Sequence, residues 1–151
     1  MANTAAVCNS FKSELMTAHH NFGTTVTRGG TGADAFKMAL YLASATKDSS
    51  TTVYNTTGEV SGTNYTAGGN SVTNANAPAV TSGTAHWTPS ASVSWTNVTL
   101  STAFDCALLY NDTQGDRAVA VFTFSSQTVT AGNFTLTMPT NDNSTGLLRI
   151  A

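Results

Sequence analysis

Few residues in this chain have side chains suited to acid–base, metal or nucleophilic chemistry: three histidines, eight carboxylates and two cysteines among 151 residues. The adjacent pair His19 and His20, with His86, is the only set with metal-ligand character. Neighbouring positions on a helix point about 100° apart, so one ion cannot easily take both rings. No carboxylate or further histidine stands at ligand spacing, so neither a metal site nor a cofactor is expected, and a solvated or packed helix end is favoured. The carboxylates are Glu14, Asp34, Asp48, Glu59, Asp105, Asp112, Asp116 and Asp142. Most lie among turn-forming residues, where Asp bends the backbone locally. Asp105 instead interrupts an apolar run. The outward position of a half-buried strand is favoured there over a buried catalytic acid. Asp112 and Asp116 flank a tip but lack the ligand density of a calcium loop. Cys8 and Cys106 have no partner motif, which favours two reduced thiols, with a bridge between them as the alternative. No serine occupies a Gly-x-Ser-x-Gly elbow, and no glycine-rich stretch follows a strand to open a helix. Trp87, Trp95, Tyr54 and Tyr65 suit either a sugar-stacking platform or core packing, and packing is favoured. No catalytic residue is therefore expected.

Composition narrows the class further. Charged residues make up 9% of the chain and the formal net charge is −2, against roughly 25% charged residues in an average domain. Threonine, serine, asparagine and glycine replace the missing charge. A disordered chain would carry high net charge, and a nucleic-acid binder would carry a basic footprint. Six scattered cations supply neither. No apolar run is long enough for a membrane helix. The first residues lack the basic and apolar regions of a secretion signal, so synthesis in a cytosol is expected. The six N-x-Ser/Thr sequons, at Asn55, Asn64, Asn97, Asn111, Asn133 and Asn143, follow from the composition.

The elements that must hold these residues are mostly strands. One domain over residues 1–151 is expected, with a short helix over about 9–20. Asn9 or Ser10 suits its cap, Phe11, Leu15 and Ala18 make an apolar stripe, and Gly23 closes the segment. Residues 24–34 read as a glycine-rich surface loop. Residues 35–42 alternate like a strand yet contain good helix formers, and the strand is preferred. Strands are then expected at 71–76, 84–88, 91–100, 103–110, 117–124, 127–130, 134–138 and 147–150. Residues 111–116 form a hairpin-like connection. Many short strands separated by turn clusters predict an all-β, antiparallel β-sandwich. Threonine suits it, with a branched side chain for the pleated face and a hydroxyl for water.

Five stretches carry a resemblance. They are residues 9–15 with His20, Asn21 and Phe22; 36–41 with Ser44, Ala45 and Thr46; Tyr54, 58–62 and 65–69; 107–111 with 117–121; and 147–151. In that order the chain resembles a family of small virion structural proteins of tailed bacteriophages, of the head-decoration or cement type. The pattern departs at 28–32, where the loop looks longer. The resemblance implies a jelly-roll-like sandwich, self-association as a dimer or trimer, and the phage major capsid protein as partner on the outer capsid surface. It carries no catalytic residues, no nucleic-acid partner and no membrane. Termini and long loops become ordered when a partner ties them down. The expected contacts are accordingly Ala2, Asn3, Val7 and Phe11 near the N-terminus, and Thr24, Arg28 and Asp34 in the loop. A tail or fibre component and a carbohydrate-binding sandwich module are the alternatives.

Overall fold

A computed structural model describes residues 2–24 and 32–151. It contains eight strands and one helix among these residues: β1 (Ala6–Val7), α1 (Asn9–Met16), β2 (Phe36–Leu42), β3 (Asn70–Val72), β4 (Ala79–Thr81), β5 (Thr84–Trp87), β6 (Val93–Asn111), β7 (Arg117–Leu136) and β8 (Leu148–Ile150). The strands form a five-stranded sheet in the order β1-β7-β6-β2-β3 and a three-stranded sheet in the order β4-β5-β8. Every pairing is antiparallel. The expected all-β sandwich with one short N-terminal helix is thus the observed architecture. No helix among the described residues is long and apolar enough to cross a membrane.

The middle of the large sheet is covered on both faces. Phe36 of β2 stacks on Phe22 at 4.5 Å between ring centroids and packs on Trp87 at 5.9 Å. Tyr110 of β6, on the opposite face, stacks on Tyr54 at 4.7 Å. Consecutive residues here are therefore all buried: Met38 to Tyr41, Cys106 to Asn111, and Ala118 to Val121. Each large apolar side chain removed from water in this way contributes about 1.5–3 kcal/mol. Double-sided burial also explains why residues 35–42 look partly helical in sequence, since a strand buried on both sides has no polar face. Towards the other end of β6 and β7 only one face is buried, and the alternation returns: Val93 and Trp95 are buried, Ser94 and Thr96 exposed.

Several elements differ from the sequence expectation, among them the strand expected at 71–76, which is only Asn70–Val72. Residues 91–100 and 103–110 join as the single strand β6, and the stretches from 117 to 136 join as β7, with residues 137 and 138 outside it. The hairpin continues through register shifts between Trp95 and Val98 and between Leu100 and Phe104, so the polar residues mark bulges rather than strand ends. The helix is shorter than expected. Asn9 and Ser10 are its first residues, and Cys8 holds the cap position in extended backbone without a side-chain bond. At the other end Ala18 turns left-handed, its N–H donating to Leu15 O at 3.2 Å and that of His19 to Glu14 O at 3.0 Å. These two bonds close a Schellman motif before His20, well ahead of Gly23. The two-residue β1 and the strand β4 carry too little pattern to be read from sequence.

Candidate interaction face

The helix and the small sheet meet along an apolar groove. Phe11 and Leu15, four residues apart on α1, lie on one helical face. Leu148 and Ile150, two apart on β8, lie on one strand face. Between them is a cavity of about 200 Å³, with Phe22, Ala85 and Trp87 also lining it. The cavity continues past Leu15 and Ile150 into a second recess bounded by Val7, Lys12 and Arg149. Beyond that lies a third recess with Gly146 and Leu147. Beside the groove, Val80, Ala85 and Ile150 lie in register across β4, β5 and β8, with Ile150 53% exposed and Val80 70%.

A polar network under the helix fixes the groove's floor. Glu14, on the turn between Phe11 and Leu15, accepts from Arg117 Nη1 and meets His20 Nε2, both at 2.8 Å. Asn111 Nδ2 lies 3.1 Å from His20 Nδ1 and can only donate, so Nδ1 accepts and the proton sits on Nε2, facing Glu14. Burial of the ring holds the His20 pKa below the ordinary histidine value, against the pull of Glu14 and Asp34. Burial pushes the Glu14 carboxyl up, but the bonds from His20 and Arg117 outweigh it and hold the group below the usual carboxylate value. Asn111 Nδ2 also donates to Asp34 Oδ2 at 2.8 Å, and Gln114 Nε2 to Asp34 Oδ1 at 3.2 Å. The network therefore locks the β6–β7 turn to the helix and to residues 32–35.

A third buried carboxylate, besides Glu14 and Asp34, holds the opposite face. Glu59 accepts from Tyr54 Oη at 2.7 Å, Tyr65 Oη at 2.8 Å and the Gly68 N–H at 2.8 Å. Tyr65 Oη in turn accepts from the Leu40 N–H at 2.9 Å, which ties the irregular segment to β2. Burial, with the Glu59 carboxylate behind it, pushes the Tyr54 phenol up to about 12, and Tyr65 further still. Both hydroxyls stay protonated and donating. Three of the roughly four acceptor sites of the Glu59 carboxylate are taken by this staple. The thiols are similarly inert: burial raises Cys8 to about 11 and Cys106 to about 12, and both are unpaired.

The expected contact residues separate. Val7 and Phe11 come together in the groove, though Phe11 is 2% exposed and serves as floor rather than as a projecting contact. An aromatic on the helix stripe is drawn into the core by its own burial energy. Ala2 is exposed. Asn3 is tied to the chain itself, Nδ2 donating to Leu42 O at 3.0 Å and to Asp105 Oδ1 at 2.6 Å, while Oδ1 accepts from the Lys47 N–H at 2.9 Å. Asp105 is half-buried and occupied by that bond. Thr24 is exposed and Arg28 lies outside the described residues. Asp34, expected in a surface loop, is 3% exposed and organises the network above. His19 faces Thr17 and His86 faces Thr81 and Asn141, and no group of three metal-ligating side chains occurs among the described residues. Both tryptophans are buried, so neither offers a face to a sugar. Sequence reading missed Leu15, Leu148 and Ile150 as a joint surface. The strand at 147–150 is expected, but nothing local says that it lies beside the helix. No protein-family model, no characterised protein and no solved structure matches this chain.

Proposed function

We propose that this chain is a non-enzymatic structural protein of a tailed-phage virion. It decorates the outer capsid surface, binds the major capsid protein and stabilises the shell as a homo-oligomer, a dimer or trimer. The groove between α1 and β8 is the observation that supports docking: an apolar cavity beside exposed Val80 and Ile150. The resemblance along the chain supports the choice of particle, and the jelly-roll-like character belongs to the same reading. Binding that engages only the assembled lattice stabilises it by mass action, and a symmetric oligomer on a symmetric shell gains avidity from repeated weak contacts. The protein is made in the host cytoplasm and needs no cofactor, nucleic acid or membrane.

Apolar contact with little charge predicts weak salt dependence. Exposed ion pairs contribute at most about 1 kcal/mol each, and the recess beside Val7 carries only Lys12 and Arg149. The test mixes the protein with undecorated heads and with tails, and follows bound copies by co-sedimentation. Occupancy on heads should change by a few-fold at most between roughly 0.05 and 0.5 M salt. Release of most copies over that range would refute a mainly apolar contact. Binding to tails alone would make the chain a tail or fibre component.

A further inference from the structure

We infer that the groove between α1 and β8 takes an extended apolar peptide segment bearing carboxylates, which adds as a strand to the free edge of β8. The inference rests on reading this face as a partner-binding surface, not on the identity of the particle. Strand β8 pairs with β5 on one side, and no other strand pairs with it among the described residues. A free edge offers a row of unpaired backbone donors and acceptors. Beside an apolar groove such an edge suits strand addition, with main-chain bonds along the edge and alternate side chains in the groove.

Charge selects the occupant. The ion pairs among the described residues join Glu14 to His20 and Arg117, and Lys37 to Asp112. Lys12 and Arg149 enter none of them, yet both line the same recess. Lys12 reaches Asn9 Oδ1 at 3.4 Å, and Arg149 donates to the Ser144 carbonyl. The nearby acids are committed elsewhere: Glu14 to the network under the helix, and Asp142 to the Ser144 and Thr145 N–H groups of its own loop. Two cations that form no ion pair among the described residues, at the rim of an apolar groove, call for acids on the partner. A second copy docking symmetrically through this face would instead bring Lys12 and Arg149 against their own equivalents, and like charges in contact oppose binding.

The experiment pans a library of random peptides of about twelve residues, long enough to pair as a strand, against the full chain. Ile150→Asp serves as counter-selection and Lys12→Glu/Arg149→Glu as the charge test. All three side chains lie at the surface, so the variants should fold as the parent does, which circular dichroism and melting will verify. Enriched peptides should alternate apolar residues, carry Asp or Glu, and bind either variant about tenfold more weakly. Amide shifts on binding should centre on β8 and α1. The inference is overturned if no peptide is enriched over the Ile150→Asp control, or if the enriched peptides lack acids. It is also overturned if the protein sediments as a dimer that Ile150→Asp separates, since the occupant is then a second copy. Peptides that behave as expected while heads remain unbound would sink the capsid proposal alone. Heads that bind parent and Ile150→Asp equally would sink the groove alone.

Discussion

Replacing Glu59 by alanine should cost about 3 kcal/mol of stability. The carboxylate accepts three hydrogen bonds, from Tyr54, Tyr65 and the Gly68 N–H. Bonds to an ionised group contribute about 1.5–3 kcal/mol, and a buried donor left unsatisfied costs about 1–3 kcal/mol. Tyr54 is half-exposed, so water can take over its hydroxyl. Gly68 is buried, and Tyr65 Oη sits between Glu59 and the Leu40 N–H, so those two donors lose most. Two such losses of about 1.5 kcal/mol each give the figure. Glu59→Gln keeps an acceptor for Tyr65 and Gly68 and can donate to Tyr54, and should cost about 1 kcal/mol. Urea unfolding followed by tryptophan fluorescence reads both. At an m of about 2 kcal/mol/M the alanine variant's midpoint should fall by about 1.5 M with m unchanged. A double-mutant cycle with Tyr65→Phe should return a coupling of about 1 kcal/mol. An alanine variant within about 1 kcal/mol of the parent would show that the staple is replaced by water, and would refute the assignment.

Two further outcomes follow from the same packing. Gly69 has φ of +70°, and a Cβ there would lie 1.8 Å from Met38 O, so Gly69→Ala should cost more than about 3 kcal/mol because β2 itself must move. Gly83, at φ of +81° with open space around it, should lose only about 1 kcal/mol on the same change, as thermal melts will show. Stability should also fall on acidification in two stages. The His20 pKa lies below its unfolded value of 6.5, so the unfolded chain binds the proton first, and stability present above pH 6.5 is lost as pH falls towards the folded value. Glu14, held below 4.5, and Asp48 and Asp142, held below 3.8, add losses at lower pH. His20→Gln should flatten the upper stage of a denaturation series against pH while leaving the lower one. An unchanged slope would place the titrating group elsewhere.

Much of the fold is written in local pattern. Alternation at Val93 and Trp95, and at Phe134 and Leu136, requires a one-sided sheet wherever it occurs, because strand side chains repeat every two residues. The turn cluster between Asn111 and Arg117 forces the hairpin. The stripe of Phe11 and Leu15 fixes which side of the helix packs, though not where the helix stops. That depended on Ala18 adopting a left-handed conformation, for which its side chain gives no cue.

Other features depended on residues far apart in the chain. Asp34 reads as a loop carboxylate because its partners Asn111 and Gln114 are 77 and 80 residues away, and only the assembled sheet brings them within reach. Glu59 looks like a turn residue until the segment carrying it folds back over β2, a close approach that Gly69 permits by lacking a side chain. The groove has the same origin. Sequence determined that Leu15, Leu148 and Ile150 are apolar, and that Lys12 and Arg149 are cations. Tertiary packing decided that an N-terminal helix and a C-terminal strand share one face, since burial energy depends on area and is blind to chain order.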